Sequence, residues 1–97
     1  MLAETLPLAE FAEICRKYRV REMAMFGSSA RGDARPNSDV DLFVEFDAGF
    51  HPGLGWFDLE EDLEHLLGRK VDLNRKALLK PNVRREALRD AIQLYVA

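Results

Sequence analysis

The segment Val40–Phe46, with the sequence VDLFVEF, constrains the fold more strongly than any other part of the chain. Side chains along a strand alternate between its two faces, so the apolar residues at positions 40, 42, 44 and 46 face one side. Asp39 and Asp41 share the opposite side. The segment is therefore predicted to be a core strand that begins with two carboxylates on one face, and that combination needs a chemical explanation.

Three helices are predicted from apolar spacing. The first runs from about residue 7 to residue 19, with Thr5 and Pro7 as start signals. The second is marked by Trp56 and the leucines that follow it, and Gly68 stands where a C-cap glycine is expected. The third starts at the N-cap Asn82 and turns extended at QLYVA. Its predicted apolar side consists of Val83, Ala87, Leu88, Ala91 and Ile92.

Two further strands are predicted between these helices. The sequence REMAMFG alternates its methionines with Ala24 and Phe26 and ends at Gly27, after which a short helix begins at Ser28. The sequence KVDLN is the other strand. The loop before Val40 carries three residues that favour a turn, Pro36, Asn37 and Ser38. Strands separated by helices predict an α/β or α+β domain with one sheet backed by helices.

Composition places the chain among globular proteins. Of its 97 residues, 47% are apolar and 32% are charged, which suits one compact domain and excludes a disordered chain. No apolar run reaches the roughly 20 residues that span a bilayer, and the N-terminus lacks the features of a signal peptide. We therefore expect a cytoplasmic protein without membrane attachment. The single cysteine, Cys15, is expected to be a buried thiol.

The charge distribution is uneven. A net charge of -3 gives little reason to expect direct nucleic-acid binding, because such binding depends on Lys and Arg neutralising phosphates. Positions 39–64 hold nine acidic residues and no Lys or Arg, whereas positions 69–89 hold eight basic residues. The acidic half could hold cations, or both halves could be solvated helix surfaces.

Three aspartates are candidates for one metal site. The Cα atoms of Asp39 and Asp41 would lie roughly 6 to 7 Å apart, so both carboxylates could reach one divalent ion or two adjacent ions. Asp72 could join them from a neighbouring strand. Hard oxygen ligands select Mg²⁺ or Mn²⁺, whose remaining positions are commonly filled by substrate phosphates. The alternative is that Asp39 caps a turn, Asp41 begins an edge strand and Asp72 is merely exposed.

Gly27 and Ser28 are candidates for holding those phosphates. They offer a backbone without a Cβ, a hydroxyl donor and the start of a helix. The alternative is an ordinary strand-to-helix turn with Ser28 as N-cap. Two better-known motifs fail here. Asp33 stands where a P-loop needs its Lys, and Leu42 and Ala48 replace the turn glycine and the bidentate Glu of an EF-hand.

The combined pattern resembles the signature of the DNA polymerase β-like nucleotidyltransferase superfamily, most closely its minimal (MNT-type) members. The resemblance rests on Gly27-Ser28, ten intervening residues, Asp39-Val40-Asp41, and Asp72 after a helix, and it centres on the segment FGSSARGDARPNSDVDLFVEF. It implies a small nucleotidyltransferase fold, with one mixed sheet backed by helices, over residues 1–97 as a single domain.

The resemblance also implies a role for each motif residue. Gly27 and Ser28 would bind the β- and γ-phosphates of ATP, and Arg31 would support the phosphates or hold the motif in place. Ser29 departs from the family pattern, in which a larger and often basic residue is common. The implied site comprises Gly27, Ser28, Arg31 and Ser38 for the nucleotide, and Asp39, Asp41 and Asp72 for catalysis and for two Mg²⁺ ions, with Mn²⁺ as an alternative.

Small members of this family resemble the antitoxin half of modules whose toxin is a HEPN ribonuclease. The implied reaction transfers AMP from ATP to a tyrosine hydroxyl of the HEPN toxin and neutralises it. The alternatives are a nucleotide-binding antitoxin that blocks its toxin by contact alone, or a nucleotidyltransferase acting on a small-molecule or RNA hydroxyl. Trp56, Phe57 and Phe50 could dock the partner, although core packing is the alternative for Trp56. His51 and His65 have no spaced partner for metal binding and receive no catalytic role.

Overall fold

The computed structural model describes residues 6–32, 35 and 37–97, and in this part of the chain helices and strands alternate. The helices are α1 (Leu8–Lys17), α2 (Gly27–Arg31), α3 (Gly55–Leu67) and α4 (Pro81–Asp90), with a 3₁₀ turn at Lys76–Leu78 before α4. The strands are β1 (Val20–Phe26), β2 (Val40–Phe46), β3 (Val71–Arg75) and β4 (Ile92–Val96).

The four strands form one mixed sheet in the order β3-β2-β1-β4. Strands β2 and β3 are parallel, whereas β1 is antiparallel to both β2 and β4. The end of β1 and the beginnings of β2 and β3 therefore meet at the same edge of the sheet. The predicted fold class is confirmed, and the strand order, which the sequence pattern did not predict, brings the three motif segments together.

The larger core lies on the sheet face covered by α1 and α3. Met23, Met25 and Leu42 from the sheet pack there with Phe11 of α1 and Leu63 of α3, and all five are buried. Cys15 of α1 belongs to the same core, which confirms its predicted burial. This face accounts for most of the apolar burial and thus for most of the folding free energy.

A smaller core lies on the opposite face, under α4. It consists of Ala24, Phe43 and Ala87, with Phe26 packed against Phe43 at a ring-centroid distance of 5.8 Å. Ala87 is the buried residue of α4, and Leu79 and Ala91 pack partly buried against this cluster. Asp41 belongs to the same face, because it alternates with the residues that enter the larger core.

Several predicted boundaries differ from the structure. Helix α1 ends at Lys17 because Arg19 takes a left-handed conformation, with φ of 58°, which cannot continue a helix. Gly68 does provide the expected left-handed C-cap of α3. Thr5 and Pro36, predicted as a helix start and a turn residue, lie outside the described residues.

The prediction for the last helix was partly wrong. Helix α4 starts at Pro81, with Lys80 rather than Asn82 as its N-cap, because proline lacks an N–H and suits the first helical position. Val83 and Leu88 are exposed instead of buried, and Ile92 belongs to β4. The predicted extended end is confirmed as β4, an edge strand paired with β1.

Candidate active site at the edge of the sheet

Two of the predicted carboxylates lie side by side at the edge where β2 and β3 begin. The parallel register of the two strands pairs Asp41 with Asp72. Burial raises the pKa of the Asp41 carboxyl, and the negative charge of Asp72, a hydrogen bond with it and the charge of Asp39 raise it further. β2 is an inner strand, so the alternative that Asp41 begins an edge strand is wrong. This concentration of negative charge favours a bound cation.

The third predicted carboxylate, Asp39, lies just before β2 and is exposed. Its charge acts on Asp41, but less strongly than that of Asp72. Within the described residues, no group of three or more Asp, Glu, His or Cys side chains is placed to hold a metal ion on its own. The structure thus places Asp41 and Asp72 together with Asp39 beside them.

This donor set fits Mg²⁺ or Mn²⁺. Mg²⁺ is commonly held by one or two carboxylates and completed by water and substrate phosphates, whereas a complete protein cage is unusual for it. The pair Asp41 and Asp72 supplies two hard oxygen donors at the beginnings of β2 and β3, and Asp39 adds negative charge beside them. The residues present therefore suit a metal shared between protein and substrate.

Gly27 lies directly against Asp41. It follows β1 and has a φ of 69°, and a Cβ added to it would stand 2.6 Å from Oδ2 of Asp41. Any larger residue would collide with the carboxylate and would also strain the backbone. Ser28, the next residue, is half-buried in the first turn of α2. The glycine is therefore needed for the backbone to approach Asp41, a requirement that the sequence alone did not reveal.

Arg31 brings a positive charge to the same edge. Its guanidinium lowers the pKa of Asp41, opposing the effect of the neighbouring carboxylates. Its Nη1 also lies 3.5 Å from Oδ2 of Asp90, the last residue of α4. The ion pair connects α2 to α4 beside the site, so both predicted roles of Arg31, phosphate support and holding the motif in place, are compatible with its position.

Ser38 takes part in the loop that leads to Asp39. Its Oγ accepts a hydrogen bond from the backbone N–H of Arg35 at 3.1 Å. Its carbonyl oxygen accepts one from Arg69 Nη2, which also donates to the carbonyl of Arg35 at 2.9 Å. Nucleotide binding by Ser38 stays a prediction. Arg69 was missed from the sequence because its partners are 31 and 34 residues away and no local spacing marks such a contact.

The residues predicted to dock a partner are divided between core and surface. Trp56 and Phe50 pack on Phe46, with ring centroids 6.2 and 5.9 Å from it. Core packing thus accounts for Trp56, whereas Phe57 is 63% exposed. His51 is exposed, and His65 lies 4.0 Å from Glu61 on the surface of α3. None of the helices in the described part of the chain is long and apolar enough to cross a membrane.

Comparison with known proteins identifies the family of the chain. The model of the nucleotidyltransferase domain matches residues 8–94, which include every predicted site residue. The chain belongs to the nucleotidyltransferase domain family. A protein adenylyltransferase MntA of Thermococcus cleftensis is 39% identical to it over 89 residues, which cover 92% of this chain and 89% of the relative. The resemblance drawn from the sequence motif is therefore confirmed.

Solved structures of the nucleotidyltransferase fold also superpose on the chain. One is a crystal structure of a toxin-antitoxin with AMP-PNP, with a TM-score of 0.76 at 21% identity, covering 95% of this chain and 75% of that one. Another is a tri-AMPylated Shewanella oneidensis HEPN toxin in complex with its MNT antitoxin, with a TM-score of 0.67 at 17% identity over 93% of this chain and 70% of that one. At these identities the likeness establishes the fold.

Proposed function

We propose that the chain is a Mg²⁺-dependent protein adenylyltransferase that transfers AMP from ATP to a tyrosine hydroxyl of a HEPN toxin and thereby acts as its antitoxin. The observation that carries the proposal is the contact of Gly27 with Asp41, itself paired with Asp72, at one sheet edge. A relative named as a protein adenylyltransferase and a fold shared with an MNT antitoxin bound to an AMPylated HEPN toxin support it.

The nucleotide would lie across this edge. The backbone at Gly27 and the hydroxyl of Ser28 would bind its β- and γ-phosphates, and the guanidinium of Arg31 would add positive charge beside them. Asp39, Asp41 and Asp72 would hold two Mg²⁺ ions, with Mn²⁺ as an alternative. Bound there, the metal ions would neutralise triphosphate charge and lower the pKa of the acceptor hydroxyl.

Transfer then requires one substitution at phosphorus. The tyrosine oxygen attacks the α-phosphorus in line with the bond to the β-phosphate, a new P–O bond forms, and pyrophosphate leaves. The tyrosine proton passes to Asp72, whose carboxylate stands on the β3 side of the site and is exposed. The products are an AMP-tyrosine phosphodiester and pyrophosphate, and this modification would silence the toxin.

A second candidate function is contact inhibition. Leu54, Phe57 and Leu78 are 82%, 63% and 76% exposed, and large exposed apolar residues are typical of protein-binding surfaces. An antitoxin of this kind would bind nucleotide and block its toxin without modifying it. The carboxylate pair suits a metal-bound nucleotide in either function, and the similarity to a relative named as a protein adenylyltransferase favours catalysis.

The test is intact-mass analysis of the HEPN partner after incubation with this chain, ATP and Mg²⁺, followed by mapping of the modified residue. We expect a mass gain in whole AMP units on tyrosine, abolished by Asp41→Asn and retained by Asp58→Asn, a substitution in the first turn of α3 that serves as the matched control. A partner that binds the chain but gains no mass would support contact inhibition instead. AMP on a small molecule or RNA would identify a different acceptor.

A further inference from the structure

We propose that Arg69 is a positioning residue that holds Asp39 at the metal site, an inference that rests on the proposed function. Asp39 precedes β2, so its own backbone is outside the strand. It is exposed, so packing does not hold it in place. Something else has to keep its carboxylate beside Asp41.

Contacts on either side of Asp39 supply that restraint. Before it, the carbonyl of Ser38 accepts a hydrogen bond of 2.5 Å from Arg69 Nη2. After it, the backbone N–H of Val40 donates to the carbonyl of Lys70 at 2.9 Å. Two consecutive residues of the turn between α3 and β3 therefore clamp the two neighbours of Asp39. The same turn leads into β3 and Asp72, so this clamp connects the start of β2 to the start of β3.

The side chain of Arg69 suits this task. Its planar guanidinium carries several fixed donors, and Nη2 alone reaches two loop carbonyls, those of Arg35 and Ser38. A lysine ammonium also carries three donors on one nitrogen, but it lacks the rigid plane of the guanidinium and its chain is shorter.

Loss of this clamp should act on the metal site through Asp39. Removing a group that orients a metal ligand typically lowers metal affinity or activity about 10- to 100-fold. We therefore expect Arg69→Ala to weaken Mn²⁺ binding in the presence of AMP-PNP by about 10-fold or more. Arg69→Lys should lie between Arg69→Ala and the original protein, since it keeps the charge and N–H donors but not the planar guanidinium.

The experiment measures Mn²⁺ affinity by electron paramagnetic resonance, with AMP-PNP and without any toxin, in parallel with thermal unfolding. Lys70→Ala is the matched control, because Lys70 is the neighbouring cation, is exposed, and contributes its carbonyl rather than its side chain. We expect this control to bind Mn²⁺ as the original protein does. Arg69→Lys keeps the test decisive if Arg69→Ala fails to fold.

The decisive comparison repeats Arg69→Ala in an Asp39→Asn background. If Arg69 acts through Asp39, the second substitution adds no further loss of Mn²⁺ affinity, whereas general destabilisation would lower affinity equally in both backgrounds. Equal losses in both backgrounds, or an equal loss in Lys70→Ala, would overturn the inference. Mn²⁺ binding is measured without the toxin. A failure of AMP transfer would therefore contradict the proposed function but would not change the interpretation of the binding result.

Discussion

Gly27→Ala is the substitution with the most specific expected effect. The added Cβ would stand 2.6 Å from Oδ2 of Asp41, whereas ordinary van der Waals contact begins at 3.4 Å. The carboxylate would have to retreat by about 0.8 Å. A misplacement of about 1 Å in a catalytic group can lower a rate about 100-fold, and we expect a loss of that order in AMP transfer.

The same substitution also has a cost in stability. An L-residue at φ of 69° is strained by about 1–2 kcal/mol. For a domain of this size, 1 kcal/mol corresponds to a decrease in Tm of about 4–8 °C. Gly32→Ala is the matched control, because Gly32 has φ of 81° but a Cβ added there would meet no heavy atom of the non-adjacent described residues within 4 Å. Both variants should lose similar stability, and only Gly27→Ala should lose most of its activity.

Two assays separate these effects. Thermal unfolding by circular dichroism gives the change in stability, and initial rates of AMP transfer below both Tm values give the change in activity. A Gly27→Ala protein that is no less active than Gly32→Ala would refute the argument that Asp41 has to stand against a bare backbone.

Three further predictions concern the ion pair of Arg31 and the larger core. Asp90→Asn removes the carboxylate paired with Arg31 and should raise the KM for ATP several-fold in steady-state kinetics. Arg89→Gln is the control, because Arg89 also lies beside the Asp90 carboxylate, and this variant should leave the KM for ATP unchanged. Burial raises the pKa of the Cys15 thiol from 9.0 to about 12, so its contribution to the free energy of unfolding is complete below pH 9 and is lost as pH rises toward 12. Urea unfolding should therefore show a lower free energy of unfolding at pH 10.5 than at pH 8. The decrease between the two pH values should be smaller in Cys15→Ala than in the original protein. Leu63→Ala should lower the free energy of unfolding by about 2–5 kcal/mol in the same urea assay, because Leu63 is fully buried in the larger core.

The elements that face the larger core could be predicted from sequence. Alternation marked β2, helical spacing marked α3, and Gly68 marked the end of α3, because each pattern reports burial on one side of a single element. Helix α4 could not be predicted as well. Its spacing of apolar residues suggested a broad buried side, but the small core above it accepts little more than Ala87.

The site could be predicted in its residue types more than in its contacts. Aspartates flanked by apolar residues pointed to neighbouring strands, and the parallel register of Asp41 with Asp72 agrees with that prediction. The contact of Gly27 with Asp41 and the hydrogen bonds of Arg69 both join segments far apart in the chain. Such contacts depend on strand order, which local periodicity does not encode.

The most direct test of the proposed site is a crystal structure of the chain with AMP-PNP and Mn²⁺, with the metal located by anomalous scattering. We predict Mn²⁺ at about 2.1 Å from carboxylate oxygens of Asp41 and Asp72, with the β- and γ-phosphates against Gly27 and Ser28. Manganese and phosphates bound at any other part of the chain would contradict the assignment of this sheet edge as the active site.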